Sequence, residues 1–109
     1  MSRTLSPQDL IVLQQQSDQI LVLDIRKQHD FDIDPQIIKG ANRHQPEEID
    51  RWIEELPINQ DIIIYCVHGH AVSNTVLDRL LEGGLKARYI EGGIEAWKDA
   101  GGETILAVN

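Results

Sequence analysis

The sequence contains a single cysteine, Cys66, so no disulfide can form within the chain. That usage suits a reducing compartment, and we expect a cytoplasmic protein. The longest apolar runs, such as residues 62–65, fall far short of the ~20 residues that span a bilayer. The N-terminus has no basic stretch followed by an apolar one, so we expect neither a signal peptide nor a membrane partner.

Basic residues are scarce beside acidic ones. Ten lysines and arginines against eighteen aspartates and glutamates give a formal net charge of −8. Because a nucleic-acid-binding domain usually carries a basic stripe, and none is present, we expect no nucleic-acid partner. The acidic balance repels anions at long range, so an anionic substrate has to be captured by local groups.

The length and composition fit one hydrophobic core. The 109 residues are 41% hydrophobic and 26% charged, which is typical of a globular protein, and we expect one domain over residues 1–109. Continuous apolar runs at residues 20–24 and 61–66 predict strands buried on both faces, since they do not alternate with polar residues, and residues 87–90 are predicted to form a third strand. Strands that alternate with helices indicate an α/β fold with a mainly parallel sheet.

Helix signals separate these strands. Start signals and apolar periodicity predict four helices, which begin near Pro7, Pro46, Ser73 and Gly93. We expect Trp52, Trp97 and Leu81 to face the core. Residues 14–18 and 30–35 are expected to be irregular. Residues 37–42 are expected to form a short strand with a turn, and residues 104–108 are expected to be extended.

Cys66 is placed at the carboxyl end of the second apolar strand, where open parallel sheets bind their ligands. The loop that follows leads directly into a helix, so its backbone N–H groups can surround an anion, aided by the helix N-terminus. Such an environment favours a thiolate at Cys66. A lone cysteine is more often a small buried hydrophobe, but the polar, glycine-containing continuation favours a nucleophile here.

The loop Cys66-Val67-His68-Gly69-His70-Ala71 resembles the active loop of the rhodanese family of sulfurtransferases, which runs Cys-x-x-Gly-x-x into a helix. The segment Leu21–Arg26, with Phe31 and Ile38–Asn42, is similar to the family's N-terminal signature. The segment Glu91–Trp97, with Ala100-Gly101, is similar to its C-terminal one. The three motifs occur in the family's order and together extend over nearly the whole chain.

The resemblance implies a rhodanese-like fold, with a mainly parallel five-stranded sheet and helices on both faces. It also implies a sulfurtransferase in which Cys66 takes a sulfane sulfur from thiosulfate or a similar donor, and passes it to cyanide or a thiol, including a protein thiol. No metal or organic cofactor is implied. The implied donor-binding residues are those of the loop: Val67, His68, Gly69, His70, Ala71 and Val72.

The loop also departs from the family. Many members carry an arginine at the fifth position after the cysteine, but here that residue is Ala71, and no arginine or lysine occurs between Arg51 and Arg79. A second hypothesis is therefore a non-enzymatic rhodanese-like module: a persulfide carrier, a redox sensor or an interaction module. A cysteine phosphatase is disfavoured, because its phosphate-binding arginine would stand at Val72.

Other polar residues near the predicted site have weaker assignments. His68 and His70 are candidates for a positive charge beside the sulfur, and their spacing with Cys66 does not match common zinc sites. Asp24 and Arg26 end a neighbouring strand, and a structural ion pair is favoured over a role in the pocket.

Overall fold

A computed structural model of the chain describes residues 3–69 and 71–107. Its strands are β1 (Thr4–Leu5), β2 (Ile20–Asp24), β3 (Gln36–Ile38), β4 (Asn42–Arg43), β5 (Asp61–Tyr65), β6 (Lys86–Ile90) and β7 (Thr104–Leu106). Its helices are α1 (Pro7–Gln16), α2 (Gln28–Ile33), α3 (Ile49–Trp52), α4 (Ala71–Glu82) and α5 (Gly93–Asp99). Across these residues, no helix is both long enough and apolar enough to cross a membrane.

Five strands form a fully parallel sheet in the order β1-β6-β5-β2-β4, which confirms the predicted five-stranded α/β fold. The central strand β5 pairs along its whole length with β2, from Ile20 opposite Asp61 to Asp24 opposite Tyr65. The loop after β5 therefore opens in the middle of the sheet's carboxyl edge. Strands β3 and β7 form a separate antiparallel pair.

The core has two layers because alternate side chains of each strand point to opposite faces of the sheet. Ile62 and Ile64 of β5 join a cluster that includes side chains of α3 and α4. The residues that alternate with them join a second cluster, which includes side chains of α1 and α5. Trp52 and Trp97 lie one in each cluster, and both are buried, as predicted.

The helix α2 was not expected, since residues 30–35 were predicted to be irregular; that prediction is wrong over Asp30–Ile33. None of the residues of α2 is buried. Its six residues do not place apolar side chains at the spacing of a helix face, so the sequence pattern does not reveal the helix. Two side-chain contacts stabilise α2 instead. Gln28 donates a side-chain hydrogen bond to Asp32 at 2.7 Å, and the guanidinium of Arg43, in β4, lies 4.7 Å from the ring centre of Phe31.

Three further expectations need correction. Residues 14–16 belong to α1 rather than to a loop. The helix predicted from Pro46 is a short α3 between two 3₁₀ turns, Pro46–Glu48 and Ile53–Glu55. Leu81 is 39% exposed, because it lies in the last turn of α4, beside the exposed glycines that end the helix.

Two short strands lie near the ends of the chain. The strand β7 confirms the predicted extended tail over Thr104–Leu106, whereas Val108 lies outside the described residues. The edge strand β1 was not predicted, since two residues are too few to show a period. It pairs with β6, with Thr4 opposite Tyr89 and Leu5 opposite Ile90.

Candidate active site

Cys66 follows β5 directly, and its backbone is held on both sides. The backbone N–H of Ile25, just beyond β2, donates to the carbonyl of Tyr65 at 2.9 Å and so extends the pairing to the residue before the cysteine. The carbonyl of Cys66 accepts from the N–H of Ile94 in α5 at 3.0 Å. The nucleophile candidate is thus fixed between the sheet and α5, with 7% of the residue's surface exposed.

Among residues 3–69 and 71–107, two groups donate hydrogen bonds to the sulfur. The backbone N–H of Gly69 lies 3.2 Å from Cys66 Sγ, and the hydroxyl of Ser73 lies 2.9 Å from it. The Ser73 side chain is fully buried, so water does not compete for its hydroxyl. Both donors are thus in place to hydrogen-bond an anion that forms at this position, and hydrogen bonds to an ionised acceptor are stronger than those to a neutral one.

The contact with Ser73 was not found from the sequence, where this residue was interpreted only as the predicted start of a helix. The helix starts two residues earlier, at Ala71, so Ser73 lies inside the first turn and faces the sulfur. The sequence signal that could have indicated this contact is the position of Ser73, seven residues after Cys66 at the predicted start of the helix. Nothing in that spacing fixes which way the side chain points.

The residues predicted to bind the donor form the loop 66–72, which we call the cysteine loop. Gly69 brings its N–H to the sulfur, and Val72 packs partly buried against the cluster that contains Cys66. Ala71 and His68 are exposed. His70 lies outside the described residues. A role of these residues in binding a substrate stays a prediction.

Two glycines allow the cysteine loop to lie directly on α5. Gly93 has a φ of +65°, and a Cβ there would lie 2.4 Å from the carbonyl oxygen of Val67 and 2.5 Å from that of Cys66. Gly69 has a φ of +74°, and a Cβ there would lie 2.9 Å from the carbonyl oxygen of Ile90. The glycines of the cysteine loop and of the C-terminal motif are therefore parts of one contact.

Asp24 and Arg26 form a buried network beside the site, which agrees with the structural role favoured from the sequence. Arg26 donates to both carboxylate oxygens of Asp24, at 2.7–3.1 Å, and to the carbonyls of Asp34 and Gln36, each at 2.8 Å. Tyr65 donates its hydroxyl to Asp24 at 3.1 Å.

The charges of this network are stabilised mutually. Burial disfavours the charged guanidinium, but the hydrogen bonds and charge of Asp24 outweigh burial and raise the pKa of Arg26. Burial, together with the neighbouring carboxylate of Asp24, raises the pKa of Tyr65 well above its usual value. Tyr65 therefore remains a neutral hydrogen-bond donor.

His44, to which the sequence assigned no role, stacks on Trp52 with ring centres 4.8 Å apart. Burial lowers the pKa of His44, which favours the neutral imidazole. Its backbone N–H donates to the carbonyl of Asp24 at 2.9 Å. These contacts give His44 a structural role at the end of β4.

An open groove of about 330 Å³ adjoins the cysteine loop. Its lining consists of Lys27, Pro46, Glu47, Ala71, Val72, Thr75 and Val76. A larger groove, of about 470 Å³, is lined by Asp18 and Ile20 at the start of β2 and by Trp97, so it lies at the opposite edge of the sheet from Cys66. Only the smaller of these two grooves is placed to take part in chemistry at the sulfur.

A family model described as rhodanese-like domain matches residues 6–100. No curated protein matches the chain. Among solved structures, a rhodanese-related protein from Thermoplasma volcanium is 23% identical with a TM-score of 0.82, over 97% of this chain and all of that one. A rhodanese-like domain protein from Staphylococcus aureus is 24% identical with a TM-score of 0.79, over 94% and 97% of the two chains.

A further similar structure bears on the phosphatase alternative. A protein of unknown function from Rhodopseudomonas palustris, described as a possible tyrosine phosphatase, is 26% identical with a TM-score of 0.81. The match extends over 94% of this chain and 84% of that one. In the present chain Val72 occupies the position where a cysteine phosphatase is expected to carry its arginine.

Proposed function

This chain belongs to the rhodanese-like domain family, which includes sulfurtransferases, and we propose that it moves a sulfane sulfur from thiosulfate or a similar donor to an acceptor through a persulfide on Cys66. The observation that carries the proposal is the sulfur of Cys66 at the carboxyl edge of the sheet, with hydrogen bonds from Gly69 and Ser73. The acceptor is a thiol, which a protein can carry, or cyanide.

In the first half-reaction the thiolate of Cys66 attacks the outer sulfur of thiosulfate. A sulfur–sulfur bond forms on Cys66, the sulfur–sulfur bond of thiosulfate breaks, and its electron pair leaves with sulfite. The charge of −3 is the same before and after. The donors of the cysteine loop stabilise the anion on either sulfur because they do not have to reorient during the step.

In the second half-reaction the acceptor attacks the terminal sulfur of the persulfide, and the Cys66 thiolate leaves. A covalent intermediate shared by two half-reactions predicts ping-pong kinetics. The chemistry is sulfur displacement, for which this chain's own residues suffice: Cys66 carries the sulfur, and the loop residues Val67, His68, Gly69, His70, Ala71 and Val72 surround the anionic donor.

The decisive test is the mass of the intact protein after incubation with thiosulfate. We expect a gain of one sulfur atom, which is released by cyanide with formation of thiocyanate and is absent in Cys66→Ser. Because Cys66→Ser is nearly isosteric, we expect it to keep the fold, so its failure to load reports chemistry. A wild-type protein that gains no sulfur under saturating donor contradicts the enzymatic proposal.

The second candidate function, a persulfide carrier, is favoured by one observation. The cysteine loop has no lysine or arginine of its own to hold a small dianion, and the chain carries a net charge of −8. A carrier receives its sulfur from another protein's persulfide. It would then load from a protein persulfide and remain unloaded by thiosulfate in the same mass measurement.

A further inference from the structure

The groove of about 330 Å³ adjoins the end of the cysteine loop. Ala71 and Val72, which line it, are the last residues of the cysteine loop, and Val76, also in its wall, belongs to the same apolar cluster as Cys66. Lys27 reaches the groove from the segment between β2 and α2. The pairing of Ile25 with Tyr65 places the end of β2 beside the start of the cysteine loop.

The walls of the groove suit an organic molecule. Pro46, Ala71, Val72 and Val76 present carbon surface, whereas thiosulfate and cyanide have no apolar part that would contact it. A donor such as thiosulfate is held by hydrogen-bond donors, which the apolar side chains of these walls do not supply. The groove therefore fits the carbon skeleton of the acceptor.

Two opposite charges flank this apolar surface. Lys27 follows β2, and Glu47 lies in the 3₁₀ turn that follows β4. Both side chains are exposed and line the same groove, yet neither forms an ion pair with any residue in the described part of the chain. A cation and an anion that share a groove without binding each other complement a ligand that carries both charges.

We infer that this groove selects a zwitterionic amino-acid thiol, of which L-cysteine is the simplest, as the sulfur acceptor. The inference rests on the proposed function and names the acceptor class of that same site. The carboxylate of the acceptor faces Lys27, its ammonium group faces Glu47, and its methylene lies on Val72 and Val76. These contacts point the thiol at the persulfide of Cys66.

The step is a sulfur displacement without net oxidation. The acceptor sulfur attacks the terminal sulfur of the Cys66 persulfide, a new sulfur–sulfur bond forms on the acceptor, and the bond to Cys66 breaks. Cys66 leaves as the thiolate, and the proton of the acceptor thiol ends on the new persulfide. Atoms and charge balance without a further reactant.

Four small thiols test the charges separately: L-cysteine carries both, 3-mercaptopropionate only the carboxylate, cysteamine only the ammonium group, and 2-mercaptoethanol neither. The protein is loaded with thiosulfate, freed from donor and checked by intact mass. The rate at which each thiol discharges the persulfide is then measured below saturation. For each thiol, the discharge rate of the variant is divided by that of the wild type, so that differences in the intrinsic reactivity of the thiols cancel.

We expect Lys27→Met to slow discharge by L-cysteine and 3-mercaptopropionate about threefold, the size of a solvent-exposed ion pair, and to leave 2-mercaptoethanol unchanged. Glu47→Gln should slow L-cysteine and cysteamine to a similar degree. Matched controls are Lys86→Met and Glu54→Gln, which change exposed charges outside the groove and should change no rate.

The inference is overturned if Lys27→Met and Glu47→Gln leave all four rates unchanged, or slow all four thiols equally. A wild-type protein that takes no sulfur from thiosulfate shows a different failure, since it removes the proposed function on which this inference rests. Because both side chains are exposed, we expect the variants to keep the wild-type melting temperature.

Discussion

At the scale of single residues, the hydrogen bonds that the described residues donate to the sulfur of Cys66 come from neutral groups. The N–H of Gly69 and the hydroxyl of Ser73 both lie within hydrogen-bond distance of Sγ. Neutral donors that are fixed in a site with little water can stabilise an anion that develops during the reaction. They do so because they are already oriented before the reaction begins. The absence of an arginine at position 71 is therefore compatible with anion chemistry at the sulfur.

The hydroxyl of Ser73 provides the first prediction at this scale. Ser73→Ala removes the hydrogen bond that the sulfur accepts at 2.9 Å, and hydrogen bonds to charged groups are worth about 1.5–3 kcal/mol. We expect alkylation of Cys66 and persulfide formation to slow by about 10- to 100-fold. Stopped-flow alkylation at fixed pH and single-turnover loading measure the two rates.

The melting temperature of Ser73→Ala is the control for a change in the fold. We expect it to stay close to that of the wild type, because the missing oxygen leaves only a small space in the core. Equal rates for Ser73→Ala and the wild type would show that the 2.9 Å contact has no influence on the sulfur. Slowing of alkylation and loading by the same factor would instead locate the effect in the thiolate itself.

At the scale of elements, the cysteine loop and the start of α5 form one unit. The N–H groups of Ile94 and Glu95 donate to the carbonyls of Cys66 and Val67, at 3.0 and 3.3 Å. Gly93 permits this approach because it has a positive φ and no side chain. The C-terminal glycine motif thus contributes to the site by positioning the backbone of the loop that carries the sulfur.

Gly93→Ala provides the prediction for this contact. The new Cβ would overlap the carbonyl oxygens of Cys66 and Val67, so α5 and the cysteine loop have to separate. We expect a lower free energy of unfolding and slower alkylation of Cys66 in the folded protein. Urea unfolding and alkylation rates measure the two effects.

Gly101→Ala is the matched control, since Gly101 also has a positive φ, of +83°, but a Cβ added there would meet no atom within 4 Å. We expect Gly101→Ala to lower the free energy of unfolding only by the backbone strain, about 1–2 kcal/mol. Its rate of Cys66 alkylation should equal that of the wild type. If the two alanine variants lose equal stability and react equally fast, the contact between loop and helix does not position the sulfur.

At the scale of the whole molecule, one buried network connects the central sheet to the strand pair beside it. Arg26 binds Asp24 at the end of β2 and the carbonyls of Asp34 and Gln36 at the start of β3. Tyr65 joins the network from β5, and its oxygen accepts a hydrogen bond from the N–H of Ile38 at 3.1 Å. The strand end that precedes Cys66 is therefore fixed by contacts from the end of β2 and from β3.

Arg26→Met provides the prediction at this scale. It leaves the carboxylate of Asp24 buried without its cation, and breaking a buried ion pair in this way destabilises a protein by about 3–5 kcal/mol. We expect a loss of this size in the free energy of unfolding, measured by urea denaturation. The control is Arg51→Met, which breaks an exposed pair with Glu48 and should change stability by less than about 1 kcal/mol. Similar losses in both variants would contradict a structural role for the buried pair.

The sequence by itself determined the parallel α/β fold and the place of Cys66 at a strand end, because buried strands and helices leave periodic signals within a few neighbouring residues. It did not reveal α2 or β1, whose residues carry no such period. Only the tertiary structure decided that Ser73 faces the sulfur and that Lys27 and Glu47 share a groove that adjoins the cysteine loop. Those contacts join residues from separate elements, and their side-chain directions depend on how the elements pack.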